Sequence, residues 1–225
     1  MASDIERLQA AVARLVQVPD TVWTRAMSNA RDSFEIEHLC KTAKEAAAAH
    51  WTALADGAPS LLNINPIAQI ERYNVGIEEE APGPLDKSFI HFAVFDPGRR
   101  TVEVSTSAVA NVQSRIAETG IDGLLDAVSV MTVVLWHEYY HVWMREQAKH
   151  HQQPARMRLT QVLQSRGGAR LEQQLLEELG AIWFSKLACG LSYHPQILQW
   201  LLVETENPEK AHHMLDHIVE KSVMK

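Results

Sequence analysis

The chain has little cysteine. Among 225 residues only Cys40 and Cys189 carry thiols, far apart and in no recognisable pattern. That excludes a scaffold built on disulfides and reads as two free thiols in a reducing compartment. Long apolar runs are also missing. The longest, from Ala127 to Trp136, covers about ten residues, roughly half of what a bilayer-spanning helix requires. The stretch MASDIERLQAAVARL has no uninterrupted apolar core, because Glu6, Arg7 and Arg14 fall where one would lie. It does not read as a secretory leader, and the expected location is the cytoplasm. Nor is there an excess of positive charge. The net charge is −7 and diffuse, which argues against phosphate-driven binding of nucleic acid. Internal repeats and low-complexity segments are absent.

What is present is enough for one sizeable core, since 46% of the residues are hydrophobic and 22% charged. Most segments read as helix. Ile5, Leu8, Val12 and Leu15 recur at helical spacing behind a capping box of Ser3 and Glu6, and Pro19 stops that helix. Asp32 with Glu35 opens a long alanine-rich helix from Phe34 to about Ala55. PIAQIERYN reads as a short helix with proline in its first turn, ended by Gly76. VGIEEEAPGP reads as loop or edge strand. KSFIHFAVF and RRTVEVSTS, joined by DPGR, read as a β-hairpin. A helix over Ala108–Glu118 follows, then a central helix from about Leu124 to Gln147. Residues 149–170 read as a polar loop with a short helix over Met157–Leu163. LEQQLLEELGAIWFSKLA and two proline-opened helices close the chain. Helices around one hairpin make an α+β protein with a small antiparallel sheet. Residues 1–60 read as an added helical layer on a domain spanning 61–225. No linker separates them clearly, so a single domain is the other reading.

The chemistry lies in VVLWHEYYHVWM. His137 and His141 are four apart, which on a helix puts both imidazoles on one face. Two nitrogens so placed can each reach a zinc ion at about 2 Å. Glu138, rotated roughly 100° from His137, borders that stripe and can take a proton from metal-bound water. This is the logic of HExxH on a helix. The flanks are apolar, so histidines without partners here are costly. The competing reading is a pair of core histidines bonded to other side chains. A catalytic zinc needs a third ligand and an open position. A glycine at 144 and a histidine at 147 would supply it from the same stretch, but these are Met144 and Gln147. A glutamate from the following helix is the other solution, and LLEELGAIWFSKL offers Glu177 and Glu178. Glu178 is preferred, because Ala181 one turn on lets the two helices pack closely.

With these residues the chain resembles gluzincin-type zinc metallopeptidases, most closely the ImmA/IrrE-like group, over roughly residues 60–190. The matching stretches are INPIAQIERYNVGIEEE, the hairpin SFIHFAVFDPGRRTVEVSTS, WHEYYH and ELGAIWFS. The resemblance implies a zincin-like fold and a Zn²⁺-dependent endopeptidase acting on a protein or peptide, in some members a repressor. It implies His137, His141 and Glu178 as metal ligands and Glu138 as the catalytic base. The chain departs from the family at Tyr140, where a glycine is usual, and at Ile182, where Asn or Asp commonly supports a ligating histidine. A non-catalytic interaction module on the same scaffold, with or without metal, is the alternative those departures motivate.

Other residues carry weaker signals. His194 or Tyr193, soon after the glutamate helix, could stabilise the oxyanion of a tetrahedral intermediate, against the plainer reading of a surface turn. His213 and His217 read as a solvated helix face, and His91 as a strand residue that could face the cleft. Arg145, Lys149, Arg156, Arg158, Arg166 and Arg170 read as a solvated basic loop that could also receive an acidic partner or nucleic acid. SFIHFAVF is a candidate edge strand for an extended substrate. Oligomeric state is left open.

Overall fold

A computed structural model describes residues 3–28, 32–56, 64–79, 91–150 and 169–223. The proposed helix over Met157–Leu163, the strand residues before His91 and most of the basic stretch lie outside the described residues. The boundary between residues 60 and 61 does so too.

Helix α1 spans Asp4–Val16 and starts as its sequence dictates. Glu6 N donates to Ser3 Oγ at 3.2 Å and Ser3 N donates back to the Glu6 carboxylate at 2.6 Å. Its buried stripe is Leu8, Val12 and Leu15. Pro19 then caps α2, Asp20–Met27. Helix α3, Ser33–Asp56, buries Leu39, Cys40, Ala43, Ala47 and His50 along one face. Its apolar side chains share one cluster with residues of the later helices, so the N-terminal helices help to build the main core.

Asn65 caps α4, Pro66–Glu71, by accepting from Ile67 N at 2.9 Å. This helix ends earlier than Gly76, in a turn where Asn74 takes a φ of 53°. Among the described residues three strands follow: β1 (Gly76–Glu79), β2 (Ala93–Asp96) and β3 (Thr101–Val104). The DPGR turn forms because the Asp96 carboxylate accepts from Gly98 N at 2.7 Å and Arg99 N at 3.2 Å. The sheet is mixed, which corrects the expected antiparallel one. β3 is central, antiparallel to β2 and parallel to β1, with Gly76 opposite Thr101. A tight turn forces only β2 and β3 to run in opposite directions. β1 reaches β3 through an intervening strand, so no turn dictates its direction.

After α5, Thr106–Thr119, Gly120 at φ 65° ends the helix and a 3₁₀ turn covers Ile121–Gly123. The central helix α6 runs over Val130–His150 and not from Leu124. Its first amide, Val130 N, is capped by the Gln113 side chain of α5 at 3.1 Å. The residues ahead of it are held irregular by Asp126, which accepts from Ser192 N at 2.6 Å and Ser192 Oγ at 3.0 Å. Among the described residues the remaining helices are α7 (Ala169–Cys189), α8 (Gln196–Glu206) and α9 (Pro208–Val223). α6 packs on β2 and α4 on one side and on α7 on the other, and α7 in turn packs on α3. α3 also reaches α6 directly through His50 and Trp51, so the helix that carries His137 and His141 is enclosed by the sheet, α7 and α3. Trp136, Tyr139 and Phe184 fill the space around it in edge-on and tilted contacts. Each such buried ring contributes about 1.5–3 kcal/mol through burial alone. Among the described residues no helix is long and apolar enough to cross a membrane.

Candidate metal centre

His137, Glu138 and His141 stand on the middle turns of α6, which is buried by its apolar flanks. The two imidazoles converge. Their Nε2 atoms lie 3.2 Å apart, with the ring planes 64° from each other. From α7, Glu178 brings Oε1 to 3.4 Å from His137 Nε2 and Oε2 to 3.4 Å from His141 Nε2. These three are the group among the described residues whose donor atoms could close on one cation. Two ligands bound at about 2.05 Å with a tetrahedral angle sit about 3.3 Å apart, whereas cis ligands of an octahedral ion at about 2.1 Å sit about 3.0 Å apart. The two imidazole nitrogens, 3.2 Å apart, lie nearer the tetrahedral edge, and the carboxylate approaches each of them at 3.4 Å with a different oxygen. Two imidazoles and one carboxylate are also a common donor set for a zinc ion that keeps one position open. The donor set is therefore one that suits a divalent ion of the zinc type.

The electrostatics agree with a cation at that point. Burial pushes the His141 imidazolium toward losing its proton, yet hydrogen bonds to Glu177 and Glu178 and the nearby Glu138 charge raise its pKa to about 10. Burial pushes Glu178 the other way, yet the charge of His137 and hydrogen bonds to His137 and His141 hold its carboxyl well below the usual range. The cluster retains a positive charge at its centre, and without a metal a proton supplies it.

Glu138 is buried and faces the sheet. Its Oε2 accepts from the backbone N–H of Phe95 on β2 at 2.9 Å. Phe95 N–H points away from β3, so the edge of β2 that pairs with no strand among the described residues is turned toward α6. Val94 on this edge strand is 45% exposed. Glu177, the alternative ligand, sits on the far side of His141, with Oε1 at 3.1 Å from Nδ1.

The two departures have local explanations. Tyr140 lies against Gly180 of α7, two residues past Glu178. A Cβ added at Gly180 would come within 2.6 Å of the Tyr140 hydroxyl and 2.9 Å of two ring carbons. The small residue stands on α7 instead of α6. A glycine inside a helix costs about 1 kcal/mol against alanine, a signal of close approach that was present in the sequence. Ile182 is 1% exposed and apolar, so no support for an imidazole comes from it.

Tyr193 and His194 are not brought to the cluster. Gly190 reverses the chain at φ 64° and carries them to another side of α7. There His194 stacks on Trp23 at 5.1 Å between ring centroids and meets Trp183 edge-on at 5.7 Å. Trp183 follows Glu178 by five positions, about 140° around the helix. Both residues are buried, 2% and 3% exposed, which also rules out the surface-turn reading. His213 and His217 are exposed on α9, as expected of a solvated face. His91 is half-buried just ahead of β2 and outside the cluster. Of the basic stretch, Arg145 and Lys149 are exposed, and Lys149 pairs with Glu146 at 2.8 Å.

Compared with family models, curated proteins and solved structures, the chain matches none.

Proposed function

We propose that the protein is a zinc-dependent endopeptidase of protein or peptide substrates, of the gluzincin kind that its motifs resemble. The observation that carries this reading is the convergence of two imidazole nitrogens 3.2 Å apart and one carboxylate within 3.4 Å of each, with a second carboxylate on the adjoining face. His137, His141 and Glu178 hold the metal. Bound zinc supplies Lewis acidity toward a scissile carbonyl and toward a water molecule. Glu138 takes the water's proton and passes it to the leaving amine. The Phe95 N–H keeps the Glu138 carboxylate aimed at that position until the proton arrives. An extended substrate lies along the edge of β2 turned toward α6, beside Val94, which brings its backbone over the cluster. The free thiols Cys40 and Cys189 suit a reducing compartment.

The burial of Glu138 and its bond to Phe95 also favour a second reading, a metal-bound interaction module whose glutamate is structural. Glu138→Gln separates the two. On the peptidase reading it lowers cleavage of a peptide library by at least about a hundredfold and leaves one equivalent of zinc bound. Equal cleavage by wild type and variant, or none by zinc-loaded wild type, sinks the peptidase reading.

A further inference from the structure

The geometry points to Glu177 as a positioning residue for His141, an assignment that rests on the metal reading above. Glu177 Oε1 lies 3.1 Å from His141 Nδ1. An ionised carboxylate only accepts, so in the neutral ring Nδ1 carries the proton. Nε2 is then left with its lone pair. That nitrogen is the one 3.2 Å from His137 Nε2 and 3.4 Å from the Glu178 carboxylate. A flipped ring or the opposite tautomer would put an N–H or a carbon at the convergence point and close it to a metal. Glu177 excludes both and, as an anion, strengthens the nitrogen as a donor.

The support is one-sided. Among the described residues, His137 Nδ1 has no comparable partner, so His141 is the ligand set in advance. The division of labour between neighbours follows from helix geometry. Glu177 and Glu178 diverge by roughly 100° on α7, so Glu178 reaches the inner nitrogens while Glu177 reaches the outer nitrogen of His141. This also explains how the site does without a polar residue at Ile182. The second carboxylate comes from the residue just before the ligand.

Zinc affinity of the full chain, measured by competition with a chromophoric chelator, tests this across wild type, Glu177→Ala, Glu177→Gln and Glu178→Ala. Glu177→Ala should weaken binding about ten- to a hundredfold while one equivalent still binds. Glu177→Gln keeps an oxygen acceptor and should recover part of that loss. Glu178→Ala should lose stoichiometric binding. In the zinc-loaded wild type the His141 Nδ1 proton should give a downfield NMR signal protected from exchange, and Glu177→Ala should lose it. A general loss of packing would not reproduce the recovery by glutamine or remove this one signal. Unchanged affinity in Glu177→Ala overturns the assignment, as does loss of stoichiometric binding there with retention in Glu178→Ala, which would make Glu177 the ligand. A wild type that takes up no zinc overturns the metal reading and this assignment together, whereas a wild type that binds zinc regardless of Glu177 removes this assignment alone.

Discussion

The protein keeps histidines in two opposite settings. His137 and His141 meet at their Nε2 atoms with Glu178 beside both and Glu177 behind His141, and these carboxylates with Glu138 raise the His141 pKa to about 10. His50 and His194 are sunk among aromatic rings. His50 stacks on Trp143 at 3.6 Å, and His194 on Trp23 at 5.1 Å. The Nε2 atoms of both lack a hydrogen-bond partner among the described residues. Burial drives the His50 pKa down to about 4. Burial likewise takes His194 down to about 3, with Lys186 and Lys44 adding to the effect and Asp20 opposing it. Desolvation acts on His141 as it does on these two, so burial does not separate a metal-binding histidine from a core one. The carboxylates decide: Glu177, Glu178 and Glu138 outweigh burial at His141, whereas at His50 burial is what moves the pKa, and the opposing carboxylate at His194, Asp20, does not outweigh burial and two lysines.

The largest effects should fall on opposite properties in the two settings. His141→Ala should abolish stoichiometric zinc binding. His50→Ala should leave zinc affinity within about twofold and instead cost roughly 2–4 kcal/mol of folding stability, as truncation of a buried ring does. Zinc titration and chemical denaturation of both variants read this out. If His50→Ala loses the metal, or His141→Ala keeps it, the two settings are not distinct.

Dependence on pH should also split the pairs. His50 and His194 are neutral when folded and protonate near pH 6.5 when unfolded. Their contribution to stability is therefore complete above pH 6.5 and is lost as pH falls toward 4. Each loses about 1.4 kcal/mol per pH unit over that interval. His141 of the metal-free protein behaves in reverse. Its contribution is complete below pH 6.5 and is lost as pH rises through about 10. Zinc takes the place of that proton, so metal should remove the alkaline loss, while in acid protons compete for the same imidazoles and the zinc-loaded protein should lose stability more steeply than the metal-free one. Thermal melts of metal-free and zinc-loaded protein across this range would show it. A metal-free protein equally stable at pH 4.5 and 6.5 would contradict the assignment of the buried pair.

How much of this was legible in the sequence depends on how local each cause is. The capping box of Ser3 and Glu6 and the DPGR turn are written within four residues, and both form as read. The one-face placement of His137 and His141 is equally local. The start of α6 is not: Leu124, Leu125 and Val128 look helical, but Asp126 is claimed by Ser192 and the helix waits for Gln113 to cap Val130. The parallel pairing of Gly76 with Thr101 depends on contacts that no short window contains. At the site, the sequence narrowed the third carboxylate to two neighbours and could not say which nitrogen each would reach. It placed Tyr193 and His194 nearby in the chain, and the turn at Gly190 took them elsewhere.

Gly180 signalled a close approach without naming Tyr140 as the neighbour, and the contact bears on the proposed site because it sets how closely α7 approaches α6. Gly180→Ala should destabilise by about 1–3 kcal/mol, since the new methyl meets the Tyr140 ring backed by buried neighbours. In a Tyr140→Ala background the same change should turn neutral or favourable, because the obstacle is gone and alanine is the better helix former. Denaturation of the four proteins in this cycle checks the sign change. Additive effects would mean that the ring does not control the helix spacing.

The smallest effect expected is that of His50→Phe at neutral pH. The imidazole there is uncharged, its Nε2 finds no partner among the described residues, and Tyr139, Trp143 and Phe184 already surround it as stacked rings. Replacing an unsatisfied polar atom by an apolar one of similar shape is near neutral, while the larger ring costs a little packing. The net change at pH 7 should stay within about 1 kcal/mol in either direction. Below pH 6 the variant should gain on the wild type steadily, because it has no group left at this position that must stay uncharged. Stability curves that run parallel down to pH 4 would show that His50 is not held neutral by burial, and the contrast with His141 would then rest on His194 alone.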